Sequence, residues 1–173
     1  MGWYTIFVES GYEDEVAYLI RTRNEELIEK SAYQLLIPKR RLIERRQGKN
    51  RKVVRKMFPG YILVETDNVL EFYKHICCIP HIRNILHVDG TFLEIKKKEI
   101  NDILIFVNDN GIIEMSKGVR VGSTVHITEG PLVGYEGKIK KIDWRRCRVK
   151  VNFDINDCVF PIYLGLEDEY KII

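Results

Sequence analysis

Long hydrophobic runs are missing from this chain of 173 residues, so no segment is predicted to cross a bilayer as a helix. No secretory leader is expected either, because Trp3-Tyr-Thr-Ile-Phe-Val8 reads as a strand almost from the first residue. Cysteine is scarce and poorly spaced. Cys77 and Cys78 are adjacent and cannot easily bridge each other, no C-x-x-C occurs, and a Cys147–Cys158 bridge is conceivable but not expected. These absences point to a reduced, cytoplasmic protein held together by its core.

Catalytic signatures are absent too. There is no P-loop, no GxGxxG and no nucleophile elbow. His75, His81 and His87 recur at a spacing that does not share a helical face and that crosses Pro80. Without an acid or a second histidine at i+4 they do not read as a metal site, and only a metal bound there would revive an enzyme reading. Asp154 and Asp157, near Cys158, read as turn residues rather than a carboxylate pair. No enzymatic activity, cofactor or metal is expected, and no internal repeat or low-complexity tract is visible.

Apolar residues make up 45% of the chain and charged ones 31%, the balance of a folded protein. The net charge of +3 announces no partner, but its distribution does. Lys39, Arg40, Arg41, Arg45, Arg46, Lys49, Arg51, Lys52, Arg55 and Lys56 stand against one acid, Glu44. Lys138, Lys140, Lys141, Arg145, Arg146, Arg148 and Lys150 stand against Asp143. Two basic islands in a nearly neutral chain suggest a nucleic-acid partner.

Trp3 to Glu9 predicts a first strand. Ser10-Gly-Tyr-Glu13 predicts a capping box, followed by a helix to about Lys30 on the period of Val16, Ile20 and Leu27. Glu13, Asp14 and Glu15 suit the positive end of that helix and need no further role. Tyr33 to Pro38 predicts a second strand, and Gln47-Gly-Lys-Asn-Arg51 a hairpin turn. Val53 to Val64 returns as a long strand broken by Pro59-Gly60. Asp67 is the expected cap of a short helix that Pro80 ends, and Ile82 to Val88 a fourth strand. Lys96 to Val107 predicts a last helix. Strand, helix, strand, strand, helix, strand over residues 1–109 is the ferredoxin-like order, so the class is α+β. Residues 110–120 read as a linker, and residues 121–173 as a small all-β barrel.

Gly130-Pro-Leu-Val-Gly134-Tyr-Glu-Gly137 demands a tight loop with residues at positive φ. It feeds the basic strand Lys138-Ile-Lys-Lys-Ile-Asp143. Such a surface can meet a phosphate backbone, although any small barrel has loops of this kind. Met57-Phe-Pro-Gly-Tyr-Ile-Leu-Val64 sets two aromatics around a Pro-Gly kink. That is either an apolar surface for a partner or a bulge whose Phe58 and Tyr61 are ordinary core.

The Gly130–Asp143 stretch resembles the KOW motif of transcription and ribosomal proteins, whose barrels bind RNA or other proteins. The first half resembles the NGN domain of the NusG family of transcription elongation factors, through Trp3-Tyr4, Gly11-Tyr12-Glu13, Pro38, Phe58-Pro-Gly-Tyr61 and Pro80. Together they span essentially the full chain. The resemblance implies a ferredoxin-like NGN domain over 1–109 and a five-stranded SH3-like β-barrel, the KOW domain, over 121–173. It also implies docking on the clamp helices of RNA polymerase through an apolar concavity. Trp3, Phe58 and Tyr61 map onto that contact, with Pro59 and Gly60 shaping it. A domain bound there bridges the cleft, keeps the clamp closed on nucleic acid and suppresses pausing. The Lys39–Lys56 hairpin then lies beside upstream DNA, or simply keeps a sheet edge from aggregating.

Two stretches depart from the family pattern: His81-Ile-Arg-Asn-Ile-Leu-His87, and Ile155-Asn-Asp-Cys-Val-Phe-Pro161 where the family carries a turn tied to Rho and a ribosomal protein. With the basic barrel, they make the chain similar to specialised paralogs of the LoaP and RfaH kind. Those act as antitermination factors on selected operons, recruited by a nucleic-acid element. The expected partners are the polymerase clamp and a structured leader RNA, engaged by a monomer. The candidate RNA contacts are Lys138, Lys140, Lys141, Trp144, Arg145, Arg146, Arg148 and Lys150. Strand alternation prevents all of them from sharing one face, which favours Lys140, Lys141, Arg145, Arg146 and Arg148 near the turn. Trp144 either stacks on a base or lids the barrel core. Two alternatives stay open: the housekeeping elongation factor, and a ribosome-associated KOW protein that binds rRNA.

Overall fold

In the computed structural model, which describes residues 1–23 and 32–170, the run from Val53 to Val64 is two strands in different sheets. In chain order the first elements are β1 (Gly2–Val8), α1 (Glu13–Arg23), β2 (Tyr33–Leu36), β3 (Lys39–Arg46), β4 (Lys49–Lys56) and β5 (Tyr61–Thr66). There follow α2 (Val69–Ile76), β6 (Ile82–Ile85), β7 (His87–Val88), β8 (Thr91–Phe92) and α3 (Lys97–Leu104). The last are β9 (Ile112–Ile113), β10 (Ser116–Val121), β11 (Thr124–Glu129), β12 (Ile139–Asp143), β13 (Arg148–Ile155) and β14 (Cys158–Asp168). They form two compact units, one of Met1–Ile37 with Phe58–Ile100, the other of Pro38–Met57 with Asn101–Ile173.

The first unit has a four-stranded sheet in the order β2-β5-β1-β6, with every pairing antiparallel, which is the ferredoxin-like arrangement. Alternation divides β1 cleanly. Ile6 and Val8 join Ile62 and Val64 in a core with Val16 and Ile20 of α1 and Phe72 and Ile76 of α2. Each such side chain, fully buried, contributes about 1.5–3 kcal/mol by leaving water. Helix α1 begins at Glu13, so Ser10 to Glu13 is not a capping box; the Glu13 carboxylate turns elsewhere. The expected continuation of this helix, with Leu27, lies outside the described residues. Asn68, not Asp67, caps α2, its Oδ1 accepting from the Glu71 amide at 3.1 Å. The expected strand from Ile82 to Val88 divides after Ile85, and β7 instead forms a small ribbon with β8 around Asp89-Gly90.

In the second unit β3 and β4 make a full hairpin, joined by Gln47 and Gly48 at φ 50° and 77°, the positive pair a type I′ turn requires. The barrel sheet runs β11-β10-β14-β13-β12, and Asn156 and Asp157, at φ 49° and 63°, close β13 on β14 in the same way. Its core is built from Val125, Ile127, Leu132, Val149, Val151, Phe153, Ile162, Leu164 and Leu166. Residues 110–120, expected as a linker, contain β9 and nearly all of β10. The former pairs parallel to β3 at Lys39 and Arg40, and the latter pairs with both β11 and β14.

The basic hairpin therefore belongs with the barrel, and the contacts show why. Arg41 grips Glu114 through Nε at 2.6 Å and a second nitrogen at 3.1 Å, and Lys52 meets Glu167 at 2.7 Å. Gly165 lets the Arg41 carbonyl come so close that a Cβ would sit 2.6 Å from it. All four cysteines are free thiols, Cys147 and Cys158 included. Among the described residues no helix is long and apolar enough to cross a membrane.

Candidate functional site

Phe58 to Tyr61 is a tight turn. Pro59 fits its second position, Gly60 takes φ +85° at the third, and the Tyr61 amide donates to the Phe58 carbonyl at 3.1 Å, the pattern of a type II turn. Two further bonds fix it. The Val8 amide donates to the Gly60 carbonyl at 2.9 Å, and the Gly60 amide donates to Glu13 Oε1 at 2.6 Å. The second Glu13 oxygen accepts from the Gly11 amide at 3.0 Å. Glu13 is completely buried, so a charge at the start of α1 organises a turn 47 residues away. Sequence reading missed that role; the signal was an acid beside Gly11 at a helix entrance, indistinguishable from ordinary charge at a helix N-terminus.

The turn delivers its aromatics unequally. Phe58 is 2% exposed and Trp3 8%, so both are core side chains, while Pro59 is exposed and Tyr61 half-buried. Tyr61 packs edge-to-face on Phe7, ring centres 5.0 Å apart, because the two are register partners on β5 and β1. Alternation sets Trp3, Thr5 and Phe7 on one face with Tyr61 and Leu63, opposite the helix-packed core. Phe7 is thus a member of the aromatic set that the motif did not reveal. Its signal was the odd-numbered alternation from Trp3.

On the barrel, seven of the eight candidate basic and aromatic residues separate into three groups, and the eighth, Lys150, lies opposite Lys141 across the strands. Lys138 is tied to Asp102 at 2.6 Å and lines neither of the concavities that the others border. Lys140, Lys141 and Trp144 line a concavity of ≈ 480 Å³ with Arg120, whose guanidinium sits 5.3 Å from the Trp144 ring centre. Trp144 is therefore a half-buried partner of an arginine. Arg145, Arg146 and Arg148 line a different cleft, whose other wall is the β3–β4 hairpin.

Register explains the division. Lys140 is the extra residue of a bulge between Ile139 and Lys141, which re-aims the strand. Lys141 is paired with Lys150 and Asp143 with Arg148, on the face opposite buried Val149 and Val151. Asp143 Oδ1 accepts from the Arg146 amide at 3.0 Å and so shapes the turn. Of the three glycines in the feeding loop, Gly130 and Gly134 have positive φ, 101° and 79°, while Gly137 does not.

The histidines have local partners: His75 reaches Glu71 at 3.2 Å, His81 stacks flat on Tyr12 and meets Glu9 at 3.0 Å, and His87 meets Asn84 at 3.1 Å. No group of three or more His, Cys, Asp or Glu able to hold a metal occurs among the described residues.

This architecture has known counterparts. A family model described as transcription termination factor nusG matches residues 1–104. The transcription termination/antitermination protein NusG of Haemophilus influenzae is 29% identical over 175 residues, covering 98% of this chain and 94% of that protein. That of Pseudomonas aeruginosa is 29% identical over 175 residues, covering 98% of each. Among solved structures, one titled for domain interaction in Thermotoga maritima NusG matches with a TM-score of 0.52 at 25% identity, over 95% of this chain and 93% of that one.

Proposed function

The chain belongs to the NusG family of non-enzymatic transcription termination and antitermination factors, and on that premise we propose that it binds RNA polymerase through its first unit and RNA through its barrel. The observation that carries the polymerase half is the Phe58–Tyr61 turn, locked to Glu13 and holding the half-buried Tyr61 edge-to-face beside the half-buried Phe7. Half-buried aromatics on a rigid strand are the anchors that protein interfaces favour. Trp3, buried on the same face, and Phe58, Pro59 and Gly60, through the turn, then support the contact that Tyr61 makes. The clamp of the polymerase is the proposed partner.

The nucleic-acid half rests on the barrel cations. Lys140 and Lys141 border one concavity, Arg145, Arg146 and Arg148 another, and Lys150 faces Lys141 across the strands. A structured leader RNA, with unstacked bases and accessible phosphates, suits such a surface. The basic barrel and the divergent turn at Ile155–Pro161 favour a specialised paralog of the LoaP or RfaH kind, working in the cytoplasm on selected operons. The housekeeping reading is favoured by the family's likeness along almost the whole chain.

One experiment addresses both halves. Polymerase is captured with the tagged protein from cells, and RNA is crosslinked in the same preparation. Retention of polymerase by wild type and its loss by Tyr61→Glu supports the clamp assignment; equal capture by both removes it. Crosslinks confined to a few transcripts mark the specialised factor, and crosslinks spread over most transcripts mark the housekeeping one. Capture of rRNA without polymerase would instead mark a ribosome-associated protein.

A further inference from the structure

The two basic islands, far apart in the sequence, meet in the second unit. Arg45 and Arg46, at the end of β3, form one wall of a cleft of ≈ 800 Å³, and Arg145, Arg146 and Arg148 form the other. Among the described residues the only carboxylate lining it is Glu44, which Arg55 holds in a two-pronged ion pair at 2.7 and 3.0 Å, with Arg46 at 3.8 Å. Asp143, outside that lining, is 3.9 Å from the Arg146 guanidinium and accepts from the Arg146 amide. Five guanidinium groups thus share one concavity with a single acid that already has a partner.

The floor of the cleft carries unfinished chemistry. Arg148 donates to the Ile43 carbonyl at 3.4 Å, but its Nε is buried with no hydrogen-bond partner. Nearby Arg40 also has a buried, unpartnered Nε, and burial first, then the Arg148 charge, press its pKa down. Like charges crowded together with unmet donors are costly unless an anion joins them.

A neighbouring hollow shows the contrast. There Lys52 meets Glu167, and Arg51 lines a hollow with Glu129, Glu167, Asp168 and Glu169. The chain supplies acids to the hairpin cations in that hollow and leaves the cleft cationic.

We propose that the hairpin and the barrel turn together form one phosphodiester-binding cleft, in which both walls grip the backbone of the same RNA segment. This deepens the RNA-binding reading and rests on it. Planar guanidinium forks match phosphate oxygens two at a time, and arginines on two facing walls can hold successive phosphates of one strand. A single phosphate would leave most of the cleft empty, whereas a stretch of backbone spans it. The hairpin thereby becomes part of the RNA site instead of a separate arm for upstream DNA.

The test uses the full-length protein and a fluorescently labelled RNA stem-loop with an internal bulge, with a DNA duplex of matching length and a polyglutamate peptide as competitors. Arg45→Gln/Arg46→Gln alters the hairpin wall and Arg145→Gln/Arg146→Gln the turn wall; all four side chains are exposed, and circular dichroism checks that the fold is kept. Each pair should weaken RNA binding about tenfold or more and flatten the dependence of log affinity on log salt by roughly one unit per lost phosphate. Crosslinks from both walls should fall on the same few nucleotides. If the turn pair loses binding while the hairpin pair binds at full strength, the composite cleft is overturned and barrel RNA binding stands. If neither pair changes affinity or slope, the cleft is overturned and RNA binding falls to Lys140, Lys141 and Lys150, whereas a wild-type protein that binds no RNA ends the RNA reading together with the cleft. Stronger displacement by DNA or by polyglutamate overturns the choice of RNA as occupant.

Discussion

The carboxylate of Glu13 accepts the amide of Gly60 at 2.6 Å from inside the protein, and so couples the first helix to the turn that positions Tyr61. Its other oxygen holds Gly11. A buried acceptor that serves two amides cannot be removed without stranding both. Glu13→Ala should cost about 1.5–3 kcal/mol, the usual range for hydrogen bonds to a charged group. Glu13→Gln should not restore it fully, since its NH₂ would face one of the two donors. Urea denaturation of the full chain gives the stability, and polymerase capture shows whether the turn has lost its shape. A Glu13→Ala protein with unchanged midpoint and capture would show that the turn holds itself.

Phe58 and Tyr61 should respond differently although they flank the same Pro-Gly pair. Phe58 is 2% exposed, and truncating a buried phenylalanine to alanine typically costs about 3–5 kcal/mol. Phe58→Ala should therefore lower stability strongly, with any loss of polymerase binding following from that. Tyr61 is half-buried, and Tyr61→Ala should leave the denaturation midpoint much less affected while weakening polymerase binding by about 2 kcal/mol or more, as for an interface anchor. Equal destabilisation by the two substitutions would make Tyr61 a core residue and remove it from the interface.

Elements set by local pattern were legible in the sequence. The α+β order, the hairpin at Gln47-Gly48 and the barrel strands other than β10 follow from alternation and turn chemistry. The role of Glu13 was hidden because its partner, Gly60, is distant in the chain, and nothing local distinguishes it from Asp14 or Glu15. The hairpin's place was hidden for a similar reason. Alternation shows that β3 and β4 pair, but not that Arg41 will find Glu114 or that Gly165 will admit a carbonyl. Residues 110–120 lacked strong periodicity because β9 is only Ile112–Ile113 and β10 is interrupted by Gly118.

The three glycines of the barrel loop give a graded series. Gly130 has φ +101°, and a Cβ there would lie 2.7 Å from Ser116 Cα and 2.8 Å from the Met115 carbonyl oxygen. Gly134 has φ +79° with open space around it, and Gly137 has neither constraint. Gly134→Ala should cost about 1–2 kcal/mol, the strain of a left-handed L-residue. Gly130→Ala should cost more than that, because backbone must shift as well, and Gly137→Ala should be nearly neutral. Thermal unfolding of the three variants checks the order, and a Gly137→Ala loss equal to that of Gly130→Ala would refute it.

Lys138 should behave unlike its neighbours. Its ammonium is engaged by Asp102 at 2.6 Å, with both side chains about a third exposed (35% each), so the pair is worth no more than about 1 kcal/mol after solvent screening. Lys138→Ala should lower the unfolding midpoint slightly and leave the salt dependence of RNA binding unchanged. A slope flattened as much as by Lys141→Ala would place Lys138 on the RNA.

Lys141 and Lys150 face each other across β12 and β13, on the outer side of the barrel. Like charges directly opposite in an antiparallel pair are destabilising, with cross-strand pair effects of roughly 0.2–1 kcal/mol, and neither lysine has an ion-pair partner among the described residues. A folded protein carries such a repulsion at little cost if a phosphate relieves it. Lys150→Glu turns the repulsion into an attraction. It should therefore raise the thermal midpoint in low salt, and that gain should shrink in concentrated salt, where the screening length falls to about 3 Å. The same substitution should weaken RNA binding and flatten its salt dependence by more than one unit, since one cation is lost and one anion gained. Stability and affinity should move in opposite directions. Weakened binding accompanied by a lowered midpoint would mean that Lys150 supports the barrel itself, and unchanged binding would place the RNA elsewhere.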